Sequence, residues 1–150
     1  MTVRIVRLGS ERSPKEGVRI GTVRRPPRGV PKAQFAAQNW YDVWYPNLAP
    51  SADTLKEGQA ASSEREWQAF RKAYRREMAT AESARSIALL AALSHHANFS
   101  VGCYCEDEAH CHRSVLRELL AAAGADVGQG LAARGQKERT EALRRHLRLP

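Results

Sequence analysis

The chain reads as an α/β protein: a single three-layer domain over residues 1–150, with a small, largely parallel sheet flanked by helices. Three observations predict it. Short runs rich in valine and isoleucine at residues 3–8 and 18–23 open the chain, amphipathic helical segments occupy the middle, and a further strand-like run at 99–105 leads straight into another helix. Strands separated by helices pair in parallel, because a parallel pair needs a long crossover. A length of 150 residues with 43% apolar and 27% charged side chains suits one ordinary domain with its own core, and excludes wholesale disorder.

Taken in order, the first two strands are split by the turn-forming Gly9-Ser10-Glu11-Arg12-Ser13-Pro14. Arg24-Arg25-Pro26-Pro27-Arg28-Gly29-Val30-Pro31 must be a loop that leaves the sheet, since three prolines remove donors and fix the backbone. Residues 34–44, with Phe35, Trp40 and Trp44, predict a short helix, and one helical turn is expected at 51–57. Ser63-Glu64-Arg65-Glu66 fits a capping box, behind which Trp67, Phe70, Tyr74 and Met78 recur at helical spacing as a core stripe. A second helix at 82–96 is expected to turn Ile87, Leu89, Leu90 and Leu93 inward. Phe99, Val101, Cys103 and Cys105 then alternate with Ser100, Gly102 and Tyr104 as in a strand. The helix at 112–123 buries Val115, Leu116, Leu119 and Leu120 and stops at Gly124, with a short strand expected at 125–127. A final amphipathic, basic helix is expected at 137–149.

The formal charge of +8 is concentrated at the two ends. Basic residues outnumber acidic ones eight to two over residues 1–30 and six to two over 134–150. Such ends fit either contact with a polyanion or plain solvated faces. No apolar run is long enough to span a membrane, and arginines interrupt residues 3–8, so a signal-peptide core is excluded. Three cysteines, an odd number, argue for reduced thiols and a cytoplasmic protein with no membrane partner.

The chemistry concentrates between residues 101 and 120, which hold all three cysteines. Zinc is disfavoured here, because in an extended strand Cys103 and Cys105 lie about two rises, roughly 6.5 Å, apart, and no Cys-x-x-Cys knuckle is present. No metal and no cofactor is therefore expected. A cysteine-phosphatase signature from Cys111 to Arg117 also fails, because the intervening residues lack glycine and already begin a helix. What survives is an anion site at a helix start. There Arg113 and Ser114, helped by Arg24 and Arg28 from the proline-rich loop, would bind the anion, with Cys105, Cys111 and His112 as the catalytic candidates. The competing structural reading pairs Arg113 with Glu106, Asp107 or Glu108 and lets His112 cap the turn.

Several segments carry a joint resemblance: Arg24-x-x-Pro27-Arg28-Gly29, the following Trp40, Leu48-Ala49-Pro50-Ser51, the Trp67-x-x-Phe70-x-x-x-Tyr74 helix, and Cys103-x-Cys105 with Cys111-His112-Arg113-Ser114. By their order and spacing over residues 17–120 the chain resembles the domain-of-unknown-function 488 family, although Pro26 stands where that family often has an aromatic residue. The resemblance implies a small α/β domain and no established reaction. The expected function is binding of an anionic, phosphate-containing small molecule, with cysteine and histidine chemistry upon it. The alternatives are a non-enzymatic nucleic-acid-binding module using the basic ends, and a purely structural domain.

Overall fold

The structure is a computed structural model that describes residues 1–128. Four parallel strands form one sheet in the order β1-β4-β2-β3, where β1 is Val3–Arg7, β2 is Val18–Gly21, β3 is Val43–Trp44 and β4 is Phe99–Cys103. Between β3 and β4 lie three helices, α1 (Ala52–Ala60), α2 (Glu64–Met78) and α3 (Ala81–Leu93), and α4 (His112–Ala122) follows β4. The chain is thus a small α/β domain with an all-parallel sheet. The basic helix expected at 137–149 lies outside the described residues.

β4 is the centre of the sheet. Val101 is in register with Ile5 of β1 on one side and Ile20 of β2 on the other, and all five residues of β4 are buried. Its helix-facing side meets Tyr74 and Met78 of α2, Ile87 and Leu90 of α3, and Val115, Leu116 and Leu120 of α4 in one core. The strand is shorter than its alternation implied. Ladder pairing ends at Cys103, the chain turns, and Cys105 emerges exposed.

The helix expected at residues 34–44 does not form. A 3-10 turn at Lys32–Gln34 is followed by turns and by the edge strand β3, paired to β2 through Ile20 with Val43 and Gly21 with Trp44. Asn39 has a left-handed backbone (φ 62°), which breaks any helix there. The aromatic residues then part company: Tyr41 packs on Gly21, whose missing Cβ would stand 2.5 Å from its ring, while Trp40 meets Tyr104 edge-on. Trp44 reaches back to donate to the carbonyl of Val23 at 2.8 Å.

α1 runs nine residues, longer than the single turn expected, capped by Ser51, which accepts from the Thr54 amide. Gly58 within it lets the ring of Phe70 approach, so α1 and α2 pack closely. Half of the capping box forms: Ser63 accepts from the Glu66 amide, but the Glu66 carboxylate takes the Ser63 hydroxyl rather than its backbone amide. In α3 the inward face differs from the expectation. Ile87 and Leu90 are buried, but Leu89 is 67% and Leu93 41% exposed. Ser83 and Ser86 face inward instead, because Ser83 donates to the Asn47 carbonyl and Ser86 meets the Tyr45 hydroxyl at 2.6 Å. Gly124 closes α4 at φ 91°, and Val127 makes a single parallel bridge to Val3.

Candidate functional site

The carboxyl ends of β1, β2 and β4 open on a cleft of about 1010 Å³. Open parallel sheets place ligands there, beyond the strand ends where chain connections diverge to either side. Its walls come from Arg7 to Ser10 after β1, Val23 to Arg28 after β2, Trp40, Leu55 and Gln59, and Cys103 to Cys105 with His112.

The proline-rich loop is anchored by its first arginine. Arg24 donates from Nε to the Pro50 carbonyl at 3.1 Å and from Nη2 to that of Ala49 at 3.2 Å, tying Arg-x-x-Pro-Arg-Gly to Leu-Ala-Pro-Ser. Gly29, at φ 72°, turns the chain back. Arg25 and Arg28 are exposed, and the Arg25 carbonyl receives the Tyr104 hydroxyl at 2.9 Å across the cleft.

The opposite wall is the connection from β4 to α4. Asp107 caps a 3-10 turn at Glu108–His110, accepting from the Ala109 amide and contacting His110 Nδ1 at 2.7 Å. Cys111 is extended and caps α4, so His112 and Arg113 enter its first turn pointing inward. His112 Nε2 lies 2.9 Å from the Thr22 carbonyl. A carbonyl only accepts, so Nε2 carries a proton, and Nδ1 is left facing Cys111 Sγ at 3.7 Å. Cys103 and Cys105 stand 3.8 Å apart at sulfur, far closer than an extended strand allows, because the strand has ended and the chain folds over itself. Thiol hydrogen bonds from Cys103 and then Cys111 hold the Cys105 thiol well below its usual range, against partial burial, with help from the Arg113 charge. Cys103 is pushed the other way by the same pairing, first with Cys105.

Of the residues expected to meet an anion or carry chemistry, Arg24, Arg28, Cys105 and His112 line the cleft together. Cys111, Arg113 and Ser114 do not; they lie behind the wall. Ser114 donates to the Cys111 carbonyl at 2.9 Å and accepts from Arg71. Arg113, 3% exposed, donates to the Cys105 carbonyl and leaves Nε without a partner among the described residues. Nor does it pair with the turn's acids. Glu106 faces Arg7, Asp107 faces His110 and Glu108 faces Arg117. Arg7, Arg25, Trp40 and Tyr104 were not foreseen at the site. Only the place of Arg7 at a strand's carboxyl end could have indicated it.

A parallel α/β sheet with an arginine loop and a cysteine turn meeting at its carboxyl edge defines a small α/β domain with a cleft built at its strand ends. The chain belongs to the active DUF488-N3 subclade, whose family model matches residues 3–124. No curated protein and no solved structure matches it. No helix among the described residues is long and apolar enough to cross a membrane.

Proposed function

We propose that the domain binds a phosphate-bearing small molecule in the cleft, with Cys105 placed to act on it. The observation that carries this is the arrival of Arg7 from the end of β1 and of Arg24, Arg25 and Arg28 from the loop after β2 on the walls that also present Cys105 and His112. Arginine forks recognise phosphate oxygens in pairs, and Arg25 and Arg28 are exposed and ready to do so. Trp40 and Tyr104 add aromatic surface against which the remainder of such a ligand can lie. His112, with Nε2 held by Thr22, contributes by positioning Cys111 and the turn. Three free thiols suit a reducing compartment, and we place the protein in the cytoplasm.

Calorimetric titration with inorganic pyrophosphate tests the reading. We expect saturable binding that weakens about tenfold in Arg28→Ala, the loss of one charge-assisted pair. Arg28 is exposed, so the variant keeps its fold. Absence of binding to the wild-type chain, or equal affinity in the variant, would rule the proposal out.

A further inference from the structure

We propose that Cys103, Cys105, Cys111 and His112 form a site for a divalent metal ion of zinc type, set into the inner wall of the cleft. The donors converge from three places: the last residue of β4, the turn after it, and the first turn of α4. Cys103 and Cys105 are 3.8 Å apart at sulfur, and the ligand atoms of Cys103, Cys111 and His112 all lie within 4.8 Å of one another. Two thiolates bound to one tetrahedral zinc at about 2.3 Å stand about 3.8 Å apart, so a small closure brings Cys103, Cys111 and His112 onto one ion, and Cys105, which lies outside that 4.8 Å group, swings in from the turn as the fourth ligand. The histidine is already set as a ligand. Its Nε2 proton is spent on the Thr22 carbonyl, and Nδ1, the nitrogen left for a metal, faces Cys111 Sγ at 3.7 Å. Such an outer hydrogen bond is how metal-binding imidazoles are oriented. Three sulfurs and one imidazole, with no carboxylate among them, select a soft or borderline ion over magnesium or calcium.

Charge supplies an independent argument. A divalent ion with three thiolates and a neutral imidazole leaves one negative charge in the wall. Arg113 is the counter-charge, buried beside Cys105 with no carboxylate partner among the described residues and with an unpaired Nε. A buried guanidinium without an anion is costly, and the acids of the same turn are engaged with Arg7, His110 and Arg117. The centre stands independently of the phosphate reading; loaded, it presents Cys105 to the cleft as a metal thiolate. Binding displaces to solvent whatever protons the three thiols still carry and oxidises nothing.

The test uses the full chain, purified reduced and without an affinity tag, stripped with chelator and titrated with zinc or cobalt(II). One ion per chain is expected by elemental analysis, and cobalt should give the intense visible bands of a tetrahedral site with a sulfur-to-metal charge-transfer band. Cys103→Ser should abolish stoichiometric binding. Cys105 is exposed, so Cys105→Ser retains the fold and should lose about one third of the charge-transfer intensity, one thiolate of three. Substoichiometric metal in excess zinc, cobalt without the sulfur band, or an unchanged spectrum in Cys105→Ser would overturn the site. Pyrophosphate titration of the same stripped sample separates the two proposals, since phosphate binding without metal uptake removes only this one.

Discussion

Arg19 is fully buried in β2, and its charge survives there because each of its three guanidinium nitrogens is met. Glu16 takes Nε and Nη2 at 2.8 and 2.9 Å as a fork-to-fork pair, and the carbonyls of Ser10 and Asn39 take Nη1. Removing one partner of such a pair strands the other in a dry site. Glu16→Gln, which keeps the volume and deletes the charge, should therefore lower stability by about 3 kcal/mol. Urea unfolding at unchanged slope measures it, and a loss below about 1 kcal/mol would mean that solvent reaches the pair. Composition alone counts Arg19 within a basic N-terminal stretch; in the fold Arg7, Arg12 and Arg19 are all paired with carboxylates. The thiols were misjudged for a related reason. Alternation through Cys105 assumes continuous strand, and a single turn after Cys103 brings two sulfurs from roughly 6.5 Å of extended chain to 3.8 Å.

Elements join where side chains from one complete the ends of another. Glu77, near the end of α2, accepts from the Ser51 amide and hydroxyl at 2.7 and 2.8 Å and from the Thr54 hydroxyl at 2.7 Å, so it holds the start of α1. Partial burial alone would raise its pKa, but these hydrogen bonds and the nearby Arg24 charge more than reverse that, leaving it below the ordinary carboxylate value of 4.5. The unfolded chain then binds the proton more readily. The contribution is complete above the ordinary value and is lost as pH falls through the lower folded one. The stability gap between wild type and Glu77→Gln should accordingly be widest near about pH 6 and narrow on acidification, as both side chains become neutral. A gap constant with pH would show that the carboxylate charge is irrelevant to the clamp. Long periodic elements were legible: Trp67, Phe70, Tyr74 and Met78 are all buried as their spacing requires. Residues 34–44 and the face of α3 were not, because the left-handed Asn39 and the serine hydrogen bonds to Asn47 and Tyr45 depend on partners remote in sequence.

Across the whole molecule, the cleft is assembled from segments that meet only in the folded sheet. Arg7, Arg24 to Arg28, and Cys103 to Cys105 with His112 belong to the ends of three different strands, and β4 lies between β1 and β2 although it follows β2 by almost eighty residues of chain. Both motifs that form the walls could be read from the sequence; that they share one cleft follows from strand order, which no local pattern encodes. A ligand of this cleft binds the native chain and not the unfolded one. Its binding must therefore raise global stability by mass action, by about 2.7 kcal/mol at a hundredfold excess over Kd. Pyrophosphate should thus raise the melting temperature of the wild-type chain in a concentration-dependent manner. Arg28→Ala should melt at the wild-type temperature without ligand, because Arg28 is exposed and makes no hydrogen bond within the described residues, yet should show a much smaller shift with it. If Arg28→Ala melted early without ligand, the arginine would belong to the fold. If both proteins shifted equally, pyrophosphate would be acting elsewhere on a basic surface, and the added stability would vanish with salt rather than with Arg28.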